Sequence, residues 1–346
     1  MTTDVTIVGA GPAGSALAIE LGRRGLRVVL YEKARFPRLK PCGEGLLPHG
    51  VAALQAIAGL PPAPRVRGLR FVAGAVSLEA DFATGFGLVV RRDRFDTWLF
   101  ARAARTPNVD ARAATPYRSG HTRFLVGADG ARSMFHRRMG ASDPRPLRAG
   151  LSTHMIGIED LGERVEIFFH DDGELYVAPT GGGEALVTAL FDYRRFRRDG
   201  IAHLLASIPE LRRRSRGAEH TTAVLAAAPL GRRVARIVDP EQGLLLVGDA
   251  AGSPDPITGE GMALALASIA SAADAIESGN LGTYARRRRR SGRTADRLGR
   301  LLLHVSCNQR RAARALERKA GLIPELMAVA TGERRLSLPT LVRAAL

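Results

Sequence analysis

Two glycine-rich segments, more than 200 residues apart, constrain the fold of this 346-residue chain more than any other feature. The first, GAGPAG at residues 9–14, directly follows the apolar run at residues 5–8. The second, GLLLVGDAAG at residues 243–252, continues into TGEG at residues 258–261. A glycine turn between a strand and a helix places backbone amides where they bind the diphosphate of a dinucleotide. The pair of turns therefore predicts a cofactor site assembled from distant segments.

The glycines of the first turn have separate predicted roles. Gly9 permits the tight turn, Gly11 lets the backbone approach the diphosphate, and Gly14 lets the helix and strand pack closely. We predict a helix over residues 13–24, whose N-terminal amides and dipole face the phosphates. After the next predicted strand, Glu32 stands at about the 20-residue offset expected for a carboxylate that binds ribose hydroxyls. This unit alone leaves FAD and NAD as alternatives.

Later segments favour FAD. Residues 125–133 (LVGADGARS) predict a strand that runs into a polar turn, and an apolar strand delivers Asp249 to the end where α/β sheets bind ligands. We predict that Asp249 accepts hydrogen bonds from ribityl hydroxyls or orders a water at the diphosphate. Gly259 and Gly261 open a predicted helix over 262–276, whose positive end would face the flavin edge that becomes negative on reduction. The alternative is a core strand and a buried alanine-rich helix.

These ordered motifs resemble the FAD-dependent superfamily that contains aromatic monooxygenases, flavin-dependent halogenases and geranylgeranyl reductases. The resemblance covers roughly residues 4–280. Residues 42–46 (CGEGL) are similar to the reductases, whereas the flanking Phe-Pro-Arg at 36–38 and Leu-Leu-Pro at 46–48 are similar to the halogenase-like group. The RxxFD motif that begins at Arg92 resembles the helix start whose arginine contacts the cofactor.

The glycine turns and this resemblance together imply a set of cofactor-binding residues. They are Gly9, Gly11, Pro12, Ala13, Gly14, Glu32, Lys33, Cys42, Gly43, Glu44, Arg92, Asp129, Gly248, Asp249, Gly259, Gly261 and Met262. FAD is expected to bind non-covalently. Cys42 is a possible pocket residue, which we interpret as a small packing residue rather than a redox or covalent site. No catalytic residue and no metal site are assigned, because the flavin itself carries the chemistry.

The predicted fold is mixed α/β (α+β), with a Rossmann-like FAD-binding lobe interleaved with a mostly antiparallel β-sheet substrate lobe. The FAD lobe takes residues 1–64, 92–147 and 231–280, the substrate lobe takes 65–91 and 148–230, and C-terminal helices take 281–346. Within these bounds we predict a helix over 93–104, no more than a small hairpin over 109–123, a strand block over 151–191 and a helix over 196–211. Helix stops are predicted near Gly321 and Pro324.

The strand block supplies the candidates for an apolar substrate pocket opposite the flavin. They are Phe168, Phe169, Tyr176, Phe191 and Tyr193. Large aromatic side chains are most often simply core, and most of these five are assigned there. Tyr176, close to Pro179, is the one that we place in the pocket.

Departures from each branch of the superfamily bear on the reaction. The halogenases keep a Trp-x-Trp-x-Ile-Pro segment and a downstream lysine. Here Trp98 is the only tryptophan, and neither that segment nor that lysine is present. The reductases keep an aromatic Tyr-x-Trp-x-Phe-Pro strand, and the corresponding residues 175–179 (LYVAP) lack both large aromatics. No triad or paired-carboxylate arrangement stands out in the sequence. Oxygen transfer, which requires the fewest protein groups, is thus favoured.

The resulting prediction is an NAD(P)H-dependent FAD monooxygenase that hydroxylates or epoxidises an aromatic or apolar small molecule. In the mechanism implied by the resemblance, NAD(P)H is a transient reductant and a flavin C4a-hydroperoxide transfers oxygen. The first alternative is a geranylgeranyl-reductase-like enzyme that saturates isoprenoid double bonds. The second alternative is a non-catalytic binding protein on the same fold, against which the intact glycines, Glu32 and Asp249 argue.

The net charge of +17 does not by itself indicate a nucleic-acid partner, because no nucleic-acid-binding motif accompanies it. The arginine run at residues 286–290 lies on a predicted helix that it would encircle, and we expect that helix to be solvated. An anionic membrane surface or an acidic carrier protein is the partner that this charge suits, through a weak association. Only Cys42 and Cys307 are cysteines, and no apolar run reaches about 18 residues. We expect no signal peptide, and a cytoplasmic protein that is at most peripheral to the membrane.

Overall fold

The computed structural model describes residues 3–120, 122–145, 147–306, 308–334 and 337. In this part of the chain there are nineteen strands and eleven α-helices. The strands are β1 (Val5–Val8), β2 (Val28–Tyr31), β3 (Gly45–Leu46), β4 (Arg65–Val66), β5 (Gly68–Ala73), β6 (Val76–Asp81), β7 (Gly87–Val89), β8 (Val109–Arg112), β9 (Phe124–Gly127), β10 (Ala141–Ser142), β11 (Arg148–Ile156), β12 (Arg164–His170), β13 (Gly173–Gly181), β14 (Glu184–Asp192), β15 (Glu219–His220), β16 (Leu225–Ala227), β17 (Arg233–Val234), β18 (Val238–Asp239) and β19 (Leu244–Leu246). The helices are α1 (Pro12–Arg23), α2 (Pro48–Ala58), α3 (Arg92–Ala104), α4 (His136–Met139), α5 (Gly200–Ser207), α6 (Pro209–Arg214), α7 (Gly261–Ala267), α8 (Ile269–Glu277), α9 (Leu281–Ser306), α10 (Gln309–Arg318) and α11 (Ile323–Ala330).

A six-stranded sheet in the order β18-β19-β9-β1-β2-β8 organises the glycine turns. Its pairs are parallel except for β18 with β19. Strands such as β1 and β19 are apolar and buried along their whole length, as expected for a parallel sheet covered on both faces. Because β1, β9 and β19 run in the same direction, their carboxyl ends meet at one edge, where such sheets bind ligands.

An eight-stranded sheet follows the order β15-β11-β14-β13-β12-β5-β6, with β16 also paired to β11. All its pairs are antiparallel except β12 with β5. Two further small sheets, β3-β7-β4 and β10-β17, connect the segments between the two large ones. The predicted mixed α/β fold, with a parallel sheet interleaved with a mostly antiparallel one, is confirmed, whereas the lobe bounds stay a prediction.

The register of the eight-stranded sheet divides its side chains between two faces. Ser152 pairs with Thr188, and Thr188 pairs with Tyr176, so these three side chains lie on the same face. Arg148 and His154 lie on that face too, because they are an even number of residues from Ser152 along β11. Both contact loops that extend from the parallel sheet. We call this side of the sheet the cofactor face.

The opposite side, here called the helix face, is apolar. Its central row is Leu151, Ala189 and Leu175, which pair across β11, β14 and β13. This row belongs to a buried cluster that includes residues from α5 and α6. Burial of apolar side chains against these two helices stabilises the sheet and leaves the cofactor face available for other contacts.

The C-terminal helices cover part of the cofactor face. Phe169 pairs with Glu174 and lies on this face near the sheet edge, where it packs with Phe71 against Ala312 and Leu316 of α10. Helix α9 packs against α8 and against the segment Pro256–Thr258. No described helix is both long and apolar enough to cross a membrane.

Three predicted elements differ from the structure. The helix predicted over 262–276 is interrupted at Ser268 into α7 and α8. The helix predicted over 196–211 begins only at Gly200 and is divided before Pro209, because proline cannot continue the hydrogen-bond ladder of a preceding helix. Pro324 lies in the first turn of α11, a position that proline suits, rather than at a helix stop. Between β8 and β9 the described residues form no hairpin, which is within the predicted limit of no more than a small one.

Candidate active site

The first glycine turn has the geometry that its sequence predicts. Gly9 has a φ of +103°, and a Cβ there would lie 2.5 Å from the Ala128 carbonyl oxygen of the neighbouring strand end. A Cβ at Gly14 would lie 1.9 Å from the Gly9 carbonyl oxygen. At Gly11 the nearest heavy atom to such a Cβ would be Nη2 of Arg38, at 3.8 Å. Gly9 and Gly14 are thus required by packing, whereas the backbone at Gly11 is open to a ligand.

Glu32 lies beside this turn at the end of β2. Its carboxylate accepts hydrogen bonds from the Ala10 N–H at 3.1 Å, the Ala34 N–H at 3.0 Å and the Arg38 guanidinium at 3.1 Å. The first of these bonds joins the end of β2 to the turn itself. Lys33, predicted as a further contact, is exposed. The carboxylate is therefore fixed where a ribose would lie, while the adjacent lysine is not.

Arg38 is a candidate site residue that the sequence analysis did not include. Its guanidinium lies between Glu32 and Asp96, with a 2.9 Å ion pair from Nη1 to Asp96. Asp96 is fully buried and also pairs with Arg92 at 2.8 Å. Desolvation, together with repulsion from Arg38 and Arg92, lowers the pKa of Lys40, although this residue is exposed. The Arg38 guanidinium, next to the open backbone of Gly11, suits a diphosphate. The Phe-Pro-Arg motif was the signal that pointed to this arginine.

The loop at residues 42–45 packs against the start of α3. Glu44 has a φ of +54°, its N–H donates to Cys42 Sγ at 3.3 Å, and its Oε1 accepts from the Arg92 N–H at 2.8 Å. Burial raises the pKa of the Cys42 thiol, although the nearby Arg92 opposes the rise. A thiol that stays protonated is a weak nucleophile, which favours the packing role over a covalent one. Gly43 in the same loop has open space around it.

The same loop is bonded to the large sheet through His154, which sequence reasoning also missed. His154 Nε2 lies 2.9 Å from Oε2 of Glu44, and both residues are almost completely buried. Thr222 Oγ1 accepts from the His154 backbone N–H and lies 3.2 Å from Nδ1. The Thr222 proton is therefore available to Nδ1, and the Nε2 proton to Glu44. The two partners are 110 positions apart, and no local motif connects them.

The carboxyl ends of β9 and β19 present two carboxylates. Asp129 Oδ2 accepts from the Met134 N–H at 2.8 Å, while its Oδ1 is buried without a hydrogen-bond partner among the described residues. Asp249 is exposed at the end of β19. The preceding Gly248 has a φ of +59°, and a Cβ there would lie 2.8 Å from the Cβ of Ala13 in α1. A buried acceptor without a partner indicates a polar ligand at this edge.

The segment before α7 completes this edge. Gly259, with a φ of +66°, and Gly261 both have open space where a Cβ would lie, and Met262 is partly buried. Because α7 has only seven residues, the unpaired amides of its first turn, rather than a long helix dipole, are what it offers to a flavin. Glu260 is buried, and its Oε2 has no partner in the described chain. Burial raises the pKa of Glu260 to about 8, so this carboxyl is largely protonated at neutral pH.

Across from these loops, the cofactor face carries a buried charged network. Arg148 Nη2 donates to Glu174 at 2.9 Å, Tyr176 Oη donates to the same carboxylate at 3.2 Å, and Arg148 Nη1 lies 3.4 Å from Asp255. Burial, together with the Glu174 charge, raises the pKa of Tyr176 well above its usual value. Glu174 and Asp255 raise the pKa of Arg148, although burial opposes this. The Thr188 hydroxyl and Nε of Arg148 are buried without partners among the described residues.

The five aromatic candidates separate by position. Phe168 and Phe191 belong to the core of the helix face, and Phe169 packs beneath α10. Tyr193 is 52% exposed, outside the sheet core. Phe169 and Tyr176 both lie on the cofactor face, but of the five only Tyr176 bonds to the charged network, and its place in a substrate pocket stays a prediction. The remaining cofactor-lobe residues of the prediction, Pro12 and Ala13, begin α1 next to the open backbone of Gly11.

These residues fit FAD as a split site. Open glycine backbone, fixed Glu32, cationic Arg38 and the free oxygen of Asp129 border the ends of β1, β2 and β9. The loop at residues 42–45 and the segment 255–261 lie between that edge and the cofactor face. The described residues include no cluster that could hold a metal ion.

Comparison with known proteins supports FAD as the cofactor. A model of the FAD binding domain family matches residues 2–59. The menaquinone reductase of Mycobacterium tuberculosis strain H37Rv is 30% identical over 319 residues, which cover 81% of this chain and 78% of the relative. Digeranylgeranylglycerophospholipid reductase 2 of Methanothermobacter thermautotrophicus is 29% identical, over 81% of this chain and 80% of the relative. The flavin-dependent brominase Bmp2 has the same fold, with a TM-score of 0.84 at 22% identity over 100% of this chain and 98% of the brominase.

Proposed function

The chain belongs to the FAD-dependent oxidoreductase family, and on that premise we propose that it is a reductase of carbon–carbon double bonds in an apolar, isoprenoid-type lipid. The two relatives described above, which match about four fifths of the chain, are named as reductases of menaquinone and of a digeranylgeranylglycerophospholipid. The observation that carries the proposal is the hydrogen bond from Tyr176 to Glu174 on the cofactor face, supported by Arg148.

Reduction of a double bond requires a proton as well as a hydride, whereas oxygen transfer does not require a protein acid at the same step. Tyr176 holds a proton at Oη across the physiological pH range, because its pKa is raised by burial and by Glu174. In the structure this hydroxyl donates to Glu174. To act as the acid it turns from Glu174 to the bound lipid, its proton goes to one carbon of the double bond, and the Arg148 guanidinium offsets the negative charge left on Oη. When bound, FAD supplies the hydride after accepting electrons from a reduced carrier.

This proposal changes the favoured reaction relative to the sequence prediction of a monooxygenase. That prediction relied partly on the lack of an acid–base arrangement in the sequence, whereas we interpret the contacts of Tyr176, Glu174 and Arg148 in the structure as such an arrangement. Glu174 and Tyr176 share one face of β13, and Arg148 on β11 reaches them across β14. Strand register, which could not be predicted from the sequence, brings these three side chains together.

A monooxygenase of a phenolic or other polar aromatic compound is the second candidate. The hydroxyls of Ser152, Thr188 and Tyr176 form one row on the cofactor face, which suits a substrate that carries oxygen atoms. The large aromatics that the resemblance places on a reductase strand are also missing from residues 175–179. NAD(P)H as the reductant stays a prediction for either reaction.

An anaerobic single-turnover experiment distinguishes these reactions. The purified holoprotein would be reduced with dithionite without oxygen and mixed with a prenylated quinone or a geranylgeranylated glycerophospholipid. We expect the flavin absorbance to return and the lipid mass to rise by about two units per saturated bond. In deuterated water both hydrogens added to each product bond should be deuterium, because a flavin reduced by dithionite takes its transferable hydrogen from the solvent. Reoxidation only after oxygen is admitted, with labelled oxygen in a phenolic product, would instead establish the monooxygenase.

A further inference from the structure

The positive charge of the chain is concentrated in its C-terminal helices. Residues 281–319 contain thirteen Lys and Arg residues against two acidic ones, a net charge of +11, whereas the whole chain carries +17. A general preference for arginine would distribute the excess evenly along the chain. The excess instead lies in about a ninth of the sequence, which indicates a localised surface.

Helix α9 arranges part of this charge as one stripe. Its members are Arg286, Arg290, Arg293, Arg297 and Arg300, all of them exposed. Their spacings of four, three, four and three residues keep them on one side of a helix with 3.6 residues per turn, over a length of about 21 Å. The buried side of α9 is the opposite one and includes Tyr284, Ala295 and Leu298. The run at 286–290 encircles the helix, as predicted, but the stripe continues well beyond it.

Two neighbours of the stripe contact other parts of the protein, whereas the only side-chain hydrogen bond of a stripe arginine in the described chain is from Arg300 to the Asp296 carbonyl of its own helix. Arg287 lies 3.4 Å from Asp274, and the buried Arg288 donates to the Gly252 carbonyl at 2.9 Å. In the part of the chain that the structure describes, none of the five stripe arginines forms an ion pair with an acidic residue. Like charges three and four residues apart destabilise a helix, so the stripe is unfavourable until an anionic partner covers it.

We propose that the α9 stripe binds an anionic lipid membrane and holds the substrate site close to it. A row of exposed point charges on a convex helix fits a flat, mobile array of anionic headgroups. The stripe contains no aromatic side chain, such as those on which nucleic-acid bases stack. On its other side, α9 packs against the segment Pro256–Thr258, next to Asp255 of the charged network. A lipid substrate could thus pass from the membrane to the cofactor face.

The choice of a membrane rests partly on the proposed lipid substrate, but its test requires no turnover. Full-length holoprotein would be sedimented with vesicles of phosphatidylcholine alone or of equal parts phosphatidylcholine and phosphatidylglycerol. We expect binding only to the anionic vesicles, with affinity that falls as salt is raised. Each arginine near such a surface strengthens binding about fivefold, so R290Q/R293Q/R297Q should bind on the order of 100-fold more weakly.

The matched control, R105Q/R118Q/R212Q, removes three exposed arginines elsewhere and the same net charge. It should keep most of the vesicle binding, and both variants should keep the wild-type flavin spectrum. Equal loss in the two variants, no binding to anionic vesicles, or tighter stripe-dependent binding to single-stranded DNA or polyglutamate would overturn the inference. Vesicle binding without reduction of prenyl lipids would instead contradict only the proposed function.

Discussion

The two faces of the eight-stranded sheet come from the same strands but carry different chemistry. On the helix face, Leu151, Leu175 and Phe191 are buried in an apolar cluster with α5 and α6. On the cofactor face, Arg148 and Glu174 are buried to the same degree but are charged. Buried charges give little net stability compared with apolar groups of similar volume. The comparison indicates that the helix face stabilises the sheet, whereas the cofactor face is retained for ligand chemistry. Mutations on the two faces should separate these roles.

The largest expected effect is on catalysis. Tyr176→Phe removes the proton at Oη but keeps the ring, so turnover of the lipid substrate should fall about 100- to 10,000-fold, the range typical of a lost general acid. The measurement is the anaerobic rate of flavin reoxidation under single-turnover conditions. Flavin content and thermal stability should change little, because Tyr176 is only partly buried.

Phe168→Leu on the adjacent helix face is the control for this prediction. It should lower thermal stability, because Phe168 is 1% exposed within the apolar cluster, and leave the rate of reoxidation within a few-fold of wild type. A large loss of rate in Phe168→Leu with no loss in Tyr176→Phe would reverse the assigned roles of the two faces.

The next effect compares stability on the two faces directly. Phe191→Ala on the helix face should lower the free energy of unfolding by about 3–5 kcal/mol through cavity formation. Arg148→Met on the cofactor face should cost about the same, because it leaves Glu174 buried without its cation. Urea unfolding of the holoprotein measures both.

A second substitution on each face should distinguish the loss of a charged partner from the loss of apolar packing. Arg148→Met/Glu174→Gln should recover much of the lost stability, since the fully buried charge of Glu174 is removed and only the more exposed Asp255 still lacks its cation, but it should not recover activity. Phe191→Ala leaves a cavity, and the replacement of a nearby polar group is not expected to fill it. No comparable recovery of stability is therefore expected on the helix face. If Arg148→Met/Glu174→Gln remained as unstable as Arg148→Met relative to wild type, the charged pair would itself be a source of stability, contrary to the comparison.

The sequence predicted the glycine turn and the parallel sheet well, and the cofactor face of the eight-stranded sheet poorly. The glycine turn, Glu32 and the strands of the parallel sheet follow from local patterns, because each depends on residues close together in the chain. Gly9 and Gly14 are required by contacts within one strand–turn–helix unit and its neighbouring strand, which any such unit must satisfy. Such features can be predicted before any tertiary contact is known.

The cofactor face could not be predicted in this way. His154 meets Glu44 only because β11 lies opposite the loop at residues 42–45, and Arg148 meets Glu174 only through the register of three strands. Among the aromatic candidates, the alternation of strand side chains sends Phe168 and Tyr176 to different faces. Alternation was visible in the sequence, whereas register and strand order were not.

A third prediction extends the comparison to pH, through two carboxyl groups whose pKa values shift in opposite directions. Burial raises the pKa of Glu260, beside the cofactor site, to about 8. Near the helix face, burial alone would raise the pKa of Glu210, but the hydrogen bonds and charges of Arg70 and Arg214 lower it overall. Glu260 binds its proton more tightly when folded, so its contribution to stability is full below about pH 4.5 and is lost as pH rises toward 8. The contribution of Glu210 is present above about pH 4.5 and is lost in acid.

Between pH 5.5 and 7.5 the wild type should therefore lose about 2–3 kcal/mol of unfolding free energy relative to Glu260→Gln, at about 1.4 kcal/mol per pH unit. Glu210→Gln should change little in this interval relative to wild type and should instead flatten the loss of stability below pH 4.5. Denaturant unfolding at a series of pH values measures both. Parallel curves for wild type and Glu260→Gln from pH 5.5 to 7.5 would show that Glu260 is ionised in the folded protein.

The smallest effect tests whether the cofactor face also holds the cofactor loop. His154→Ala removes the bond to Glu44, so FAD affinity of the apoprotein should fall about 10- to 100-fold, as expected for a hydrogen bond to a charged group worth about 1.5–3 kcal/mol. Ser152→Ala, on the same strand and face, is the control and should bind FAD normally. Glu44→Gly should weaken binding as much as His154→Ala, although glycine relieves the positive φ at this position.

A double-mutant cycle then decides whether the two residues act as one unit. If His154 acts on FAD only by fixing Glu44, the variant Glu44→Gly/His154→Ala should bind FAD no more weakly than either single variant. Additive losses would mean that each residue reaches the cofactor separately. Wild-type FAD affinity in His154→Ala would confine this face to substrate chemistry, because the loop at residues 42–45 would then be held by its contacts with α3 alone. The cycle therefore tests whether one face of the sheet serves both cofactor and substrate, or substrate only.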